Sequence, residues 1–185
     1  MALKLITAPT AEPVTLDEVK SRLRIDSDLT DEDDWLTERI IAAREACESY
    51  HGWNYMQRQY ELYLDRWPHK RYIDILKPPL QSVESVKYYD IDDTEYTFSD
   101  YLANAVKIPG RVTLKANCQW PVAELQPENG IVIAFTCGYA SADDVPQLIK
   151  DCITASVCYW WQNRGKTDVP DQILRALAPS RMWPI

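Results

Sequence analysis

Long apolar runs and nucleotide-binding glycine motifs are both missing from this chain of 185 residues. No segment reaches the 18 or so consecutive apolar residues of a membrane helix, and residues 1–6 lack the apolar core of a signal peptide. The five glycines form neither G-x-G-x-x-G nor G-x-x-x-x-G-K-[ST], the loops in which backbone approaches phosphate. We therefore expect a soluble protein that stays in the cytoplasm, contacts no membrane and binds no nucleotide.

Residues suited to metal binding or acid–base catalysis are also scarce. The two histidines are His51 and His69, and the five scattered cysteines include no C-x-x-C pair. A zinc site needs such ligands at short spacing, so the cysteines are interpreted as small buried residues in a reducing compartment. His51 lies beside the predicted C-terminal stop of a helix and His69 lies in a basic turn, which predicts that both are at the surface. We expect no catalytic site, no metal and no cofactor.

Residues 26–37 begin like a calcium-binding loop, because carboxylates alternate in Asp26-Ser27-Asp28. The similarity fails at two decisive positions, where Asp31 replaces the required glycine and Thr37 replaces the bidentate glutamate. The acidic stretch is therefore interpreted as a solvated linker whose charge favours the start of the next helix.

Two helices are predicted near the ends of the chain. Thr15 and Glu18 form a T-x-x-E capping box, and apolar residues follow at helical spacing, which predicts a helix over residues 15–24. A broad apolar face with Pro146 in its first turn predicts a helix over residues 146–163.

The most regular amphipathic pattern predicts a helix over residues 31–51. Its apolar positions recur at steps of three and four. Thr30 or Asp31 is the predicted N-terminal cap, and Gly52 is the predicted stop.

The middle of the chain changes to the two-residue period of β-strands. Residues 55–140 are predicted to form a mostly antiparallel β region. Within it, Pro109-Gly110 is interpreted as a hairpin turn that divides a strand at 106–108 from a strand at 112–114. The expected fold class is α+β, with N-terminal and C-terminal helices and a large central, mostly antiparallel β region.

The ends of the chain are predicted to differ from its middle. Residues 1–14 contain Pro9 and Pro13 and are expected to form an extended arm. Residues 1–165 are expected to form a single domain, because this length is typical of one domain. Residues 166–185 are predicted to form a C-terminal docking tail.

Two groups of residues are candidates for contact with partners. The net charge of −8 disfavours a protein that wraps nucleic acid, yet Arg66, His69, Lys70 and Arg71 form a concentrated basic cluster. It is either a solvated turn or a contact with an acidic neighbour. The apolar C-terminal tail either folds back on its own core or docks into a partner's groove with residue types common in binding hot spots. The tail residues concerned are Ile173, Leu174, Leu177, Arg181, Met182, Trp183 and Ile185.

The order of several short stretches resembles the bacteriophage head–tail connector family, also called head-completion or neck adaptor proteins. The resemblance covers roughly residues 10–185. One departure is Ile91-Asp92-Asp93-Thr94, where the family often has a glycine after the position of Asp90. The matching stretches are Val14-Thr15-Leu16-Asp17-Glu18-Val19-Lys20, Leu23-Arg24-Ile25-Asp26, residues 33–50, Trp67-Pro68, Pro78-Pro79-Leu80-Gln81-Ser82-Val83, Val86-Lys87-Tyr88-Tyr89-Asp90, Trp120-Pro121, Gly138-Tyr139 and Val145-Pro146.

The resemblance implies a helical bundle elaborated by a β region, in a structural virion protein that forms a ring of about twelve copies between the portal vertex and the tail. The acidic neighbour of the basic cluster would then be an adjoining subunit or DNA in the channel. It implies the portal protein and a tail-side neck or tail-terminator protein as partners. DNA would pass through the lumen without specific binding, in a virion neck assembled in the host cytoplasm. The family supplies no catalytic residues. The alternatives are a phage DNA-packaging or DNA-binding factor and a small phage hydrolase.

Overall fold

A computed structural model describes residues 1–182 of the chain. Within that range the fold is α+β, as predicted, and the chain divides into two compact units. The β unit consists of Met1–Pro9 and Gln57–Gly138, and the helical unit consists of Thr10–Met56 and the chain from Tyr139 onward. The described part of the predicted docking tail belongs to the helical unit. Among residues 1–182, no helix is both long and apolar enough to span a bilayer.

The helical unit contains four α-helices and two short 3-10 segments among the described residues. The helices are α1 (Leu16–Leu23), α2 (Asp33–His51), α3 (Gln147–Gln162) and α4 (Asp171–Arg175), and the 3-10 segments are Ala142–Asp144 and Ala178–Ser180. The main apolar core forms where α1, α2 and α3 pack together, with side chains such as Val19, Leu36, Ile153 and Val157 fully buried.

Local capping explains where these helices begin and end. The Thr15 hydroxyl accepts the Glu18 backbone N–H at 3.2 Å, and the Glu18 carboxylate accepts the Thr15 N–H at 2.7 Å, as the capping box predicted. Helix α2 ends at Gly52, whose φ of 79° is the left-handed conformation that glycine favours. The expected cap by Thr30 or Asp31 is wrong, because α2 begins at Asp33 and no side chain caps it.

The β unit contains two antiparallel sheets. Their strands are β1 (Ala2–Thr7), β2 (Arg58–Leu64), β3 (Tyr72–Ile75), β4 (Leu80–Tyr89), β5 (Glu95–Thr97), β6 (Tyr101–Asn104), β7 (Gly110–Leu114) and β8 (Ile131–Cys137). The first sheet has the order β1-β2-β8-β4-β5 and the second has the order β3-β7-β6. Alternate residues of the central strands form a second apolar core, which includes Val86, Val112, Ile133 and Phe135.

Two expectations about this region are wrong. The first residues are not merely an extended arm, because β1 pairs with β2 and begins the five-stranded sheet. The proposed strand at 106–108 lies instead in the loop between β6 and β7, where Val106 is 95% exposed. Cis peptide bonds precede Pro79 and Pro109.

The acidic turn between β4 and β5 forms without the family's usual glycine. Asp93 adopts a φ of 61°, the left-handed conformation that aspartate tolerates better than most residues. The Asp90 carboxylate accepts the backbone N–H groups of Asp92 and Thr94 at 3.0 Å and 2.9 Å. The Asp90 side chain therefore maintains the hairpin between β4 and β5.

Candidate partner-binding surfaces

The C-terminal segment (residues 166–182 of the described chain) packs against the helical unit. Leu177 is 1% exposed and belongs to the helical core, and Ile173 and Leu174 pack against it while remaining half-buried. The Trp160 indole donates a hydrogen bond to the Asp168 carbonyl at 3.0 Å. Leu177 therefore faces its own core in this conformation, where it cannot contact a partner.

The end of the C-terminal segment is held at the end of α2. The Met182 N–H donates to the His51 carbonyl at 2.8 Å, and the Trp53 indole donates to the Ser180 carbonyl at 3.0 Å. The Arg181 guanidinium lies over the Tyr50 ring, 4.3 Å from its centroid.

Glycine is required at position 52 for this arrangement. A β-carbon there would lie 2.9 Å from both the β-carbon and the carbonyl oxygen of Met182. The residue that ends α2 thus also permits the close approach of the C-terminal segment.

His51 is at the centre of these contacts, and the expectation that it lies at the surface is wrong. It is 2% exposed, stacked on Trp53 with ring centroids 5.0 Å apart. Its Nδ1 lies 3.0 Å from the Tyr55 hydroxyl and its Nε2 lies 2.9 Å from the Ser180 hydroxyl. Because the Tyr55 hydroxyl donates to the Cys47 carbonyl, it accepts from Nδ1–H. In the neutral ring Nε2 then accepts from the Ser180 hydroxyl at 2.9 Å, which is closer than the alternative acceptor of that hydroxyl, the Leu177 carbonyl, at 3.5 Å. Burial lowers the pKa of His51, in agreement with this neutral form.

The predicted tail residues differ in their surroundings. Ile173, Leu174 and Leu177 pack on their own core, while Arg181 and Met182 are half-buried beside α2. Trp183 and Ile185 lie outside the described residues. The contacts of the tail with a partner stay a prediction.

The basic cluster lies in the connection between β2 and β3. Arg66, His69 and Lys70 are exposed there, as the sequence predicted for His69. Arg71 has a different role, because its guanidinium donates to the carbonyls of Lys115 and Cys118 at 2.8 Å and 3.1 Å. It thereby ties this turn to the loop that follows β7.

Aromatic residues form the base of the same turn. Trp67 stacks on Trp120 with centroids 4.8 Å apart and an interplanar angle of 8°. The Trp120 indole donates to the Lys70 carbonyl at 2.9 Å. The exposed basic side chains are therefore presented from an ordered turn, which would favour a contact with an acidic neighbour because less side-chain and backbone entropy is lost on binding.

A groove that the sequence did not predict lies between α1 and α3. Its volume is about 780 Å³, and both signs of charge line it, with Glu18 and Arg22 on α1 and Lys150 and Asp151 on α3. The only signal in the sequence is the polar face of α3, which looks the same whether it borders a groove or open solvent.

Chemistry beyond binding has little support among residues 1–182. No group of three or more His, Cys, Asp or Glu side chains in that range is placed to hold a metal ion. Cys47 and Cys152 are buried, and burial raises the pKa of Cys47 to about 12 and also raises that of Cys152. These thiols are therefore poor nucleophiles near neutral pH.

The fold is that of the neck proteins of phage-like particles. A chain from the neck of an empty GTA particle, computed with C6 symmetry, matches with a TM-score of 0.83 and 19% identity, covering 100% of this chain and 97% of that chain. A chain from the virion of a native gene transfer agent particle matches with a TM-score of 0.80 and 20% identity over the same shares. A chain from the neck of a native GTA particle, computed with C12 symmetry, gives 0.76 and 17%, again over 100% and 97%. No curated protein matches.

The family model for phage gp6-like head–tail connector proteins matches residues 13–170, and the chain belongs to that family. It is a structural component of the virion neck that adapts the head to the tail, as the resemblance predicted.

Proposed function

We propose that copies of this chain form a closed ring between the portal vertex and the tail, through which the genome leaves the head. The observation that carries this proposal is the match over the whole chain to neck chains of particles with C6 and C12 symmetry. Each contact in such a ring is heterologous, because two different surfaces of the same chain meet. About twelve copies would match the symmetry of the C12 neck.

The ring acts by positioning and electrostatics, without catalysis or a bound cofactor. A net charge of −8 gives a net repulsion between the protein and phosphate, so DNA passes without specific binding. The exposed Arg66, His69 and Lys70 are contacts for an acidic neighbouring subunit or for local stretches of the DNA backbone.

The C-terminal segment is the part that docks on the portal. Its contacts with His51, Trp53 and Tyr50 fix the backbone up to Met182, so little ordering entropy is lost when a partner binds beside it. Arg181 and Met182 lead into Trp183 and Ile185, the apolar residues predicted to be inserted into a portal groove. A tail-side neck or tail-terminator protein would occupy the opposite end of the ring.

The test is to add the purified protein to DNA-filled, tailless heads of the same phage and to image the vertex by electron cryo-microscopy. We expect an additional ring below the portal. Heads that remain unchanged at saturating protein would refute the portal-docking function.

Substitutions separate docking from folding in the same assay. Arg181→Ala should reduce ring occupancy, while Arg175→Ala, at a position 76% exposed on α4, should leave it unchanged. Equal occupancy for both variants would contradict a role of the tail in docking.

The DNA-binding alternative makes a different prediction for the free protein. A packaging factor would bind duplex DNA with an affinity that falls steeply as salt rises. We expect no such binding at physiological salt, as measured by fluorescence anisotropy with a labelled duplex.

A further inference from the structure

Strand β1 ends the five-stranded sheet with an unprotected edge. It pairs with β2 on one side only, and all six of its residues are exposed. On the free side, alternate residues direct their N–H and C=O groups outward, where another strand can form hydrogen bonds with them. The protection of β1 is limited to one charge, at Lys4, and to an irregularity between Leu5 and Thr7, and the strand has no proline.

The apolar face of the five-stranded sheet is exposed to solvent at β1. One row across the sheet is Leu3, Leu62, Ile133 and Val86, and the parallel row is Leu5, Tyr60, Phe135 and Val83. Burial is nearly complete at Leu62 and Tyr60, which are 4% and 8% exposed, but Leu3 and Leu5 are 40% and 45% exposed. A backbone edge and an apolar face are therefore both left open at the same strand.

A second open surface lies on the hairpin of β6 and β7. Strand β6 pairs only with β7, so its other edge is free. Residues 101–106 carry no charge. Leu102, Val106 and Ile108 are 58%, 95% and 51% exposed, so the hairpin presents an apolar strand and tip.

These two surfaces lie at opposite edges of the β unit. Leu3 lines a small cavity of about 80 Å³ together with Ile75 and Leu76 at the end of β3, so the β1 and β3 edges are neighbours. Strand β6 lies at the other end of its sheet, where it contacts β4. Two different surfaces at opposite edges of one unit are what a repeating head-to-tail contact requires.

We propose that the free edge of β1 in one copy pairs with the free edge of β6 in a second copy of this chain. The pairing joins the five-stranded sheet of one copy to the three-stranded sheet of the next. It places the apolar hairpin tip beside Leu3 and Leu5 and satisfies both rows of unpaired backbone groups. This inference rests on the proposed ring and specifies the contact that closes it.

Thiol cross-linking tests the contact. In the variant Leu5→Cys/Ala103→Cys, one cysteine lies on β1 and the other on the edge strand β6, where Ala103 is exposed. A short bismaleimide reaches neighbours across a strand pair, which lie about 4.5–5.5 Å apart when directly opposite and about 7–8 Å apart on the diagonal. The reagent is added to concentrated protein and to the protein bound to tailless heads, and products are separated on a denaturing gel.

A heterologous contact gives a ladder of dimers, trimers and higher multimers, because every copy carries both cysteines. Each single variant, and the wild type with its native thiols, should give no ladder. Dimers from Leu5→Cys alone would indicate β1–β1 pairing, and cross-links to another neck protein would indicate a different occupant; either result overturns the proposal.

The two proposals fail in distinguishable ways. Rings on heads by microscopy without a ladder would overturn this contact and leave the ring function intact. Heads without rings, together with no ladder in solution, would overturn both.

A charge substitution provides a second test that does not depend on cross-linking geometry. Leu5→Lys should lower the multimer fraction roughly tenfold or more, because a charge would be buried against the neighbour. Ala2→Lys is the matched control, since Ala2 is also exposed and, within the regular register from Ala2 to Leu5, lies on the opposite face of β1. Thermal melting should show both variants folded, and equal multimer fractions would overturn the proposal.

Discussion

Removing the Arg44 guanidinium should be among the most damaging single changes in the helical unit. Its Nε donates to Glu12 at 2.7 Å and its Nη1 donates to Glu48 at 2.9 Å. Arg44 and Glu48 have side chains only 4% and 8% exposed. Burial alone would lower the pKa of Arg44, but the two carboxylates outweigh it and hold that pKa above its ordinary value.

The variant Arg44→Met keeps most of the side-chain volume and removes the charge. It removes the ion pair between Arg44 and the buried Glu48 carboxylate, and breaking a buried pair in this way costs about 3–5 kcal/mol. The Glu12 side chain is 24% exposed, so water can solvate its carboxylate when the guanidinium is removed. We therefore expect a decrease of about 3 kcal/mol in the free energy of unfolding. That is a large share of the roughly 5–15 kcal/mol typical of a whole domain.

Urea denaturation followed by circular dichroism measures this loss. The double variant Arg44→Met/Glu48→Gln should recover more than half of it, because glutamine still accepts the Tyr55 N–H that now bonds to Glu48 at 2.8 Å without burying a charge. Arg175→Met breaks an exposed ion pair of 3.9 Å with Asp171 and should cost no more than about 0.5 kcal/mol. A loss below about 1 kcal/mol for Arg44→Met, or no recovery in the double variant, would refute the reasoning.

Three further predictions follow from individual contacts. Leu177→Ala should lower the free energy of unfolding by about 2–5 kcal/mol, because it opens a cavity in the helical core. Because burial lowers the pKa of His51 in the folded state, its contribution is fully present above the unfolded value of about 6.5 and is lost as pH falls below it; His51→Gln should flatten the dependence of stability on pH between about 7 and 5. Arg71→Ala removes two hydrogen bonds to carbonyls and should cost about 1 kcal/mol for each, by urea denaturation.

Each of these has a matched control of the same residue type. Leu148→Ala, at a site 51% exposed on α3, should change stability by less than about 0.5 kcal/mol. His69→Gln and Arg66→Ala should both leave stability at pH 7 unchanged, because both side chains are exposed. A control that changes stability as much as its partner variant would contradict the corresponding contact.

Features set by neighbouring residues could be predicted from the sequence. The start of α1 depends on Thr15 and Glu18, three positions apart, and the end of α2 depends on Gly52. The period of two likewise predicted a β region over residues 55–140, and strands β2 to β8 all lie within it. In each case the determining contacts lie within a few residues, so the pattern of residue types carries the information.

Features set by distant residues could not be predicted. His51 is buried because Ser180, 129 residues away, covers it, and nothing beside His51 in the sequence indicates this. Strand β1 pairs with residues more than 50 positions further along, although its own residues are compatible with an extended arm. The groove between α1 and α3 arises from the packing of two helices and has no local signature.

The division into two units has a consequence for synthesis on the ribosome. The chain passes between the units three times, after Pro9, after Met56 and after Gly138. The β unit is complete once Gly138 has emerged, whereas the helical unit still lacks α3 at that moment. The apolar faces of α1 and α2 must therefore wait for more than 90 residues of translation before the helix that buries them is made. At roughly 5–20 residues per second this interval lasts several seconds, which makes the nascent helical half, and not the β-rich half, the part of the chain most in need of protection by chaperones.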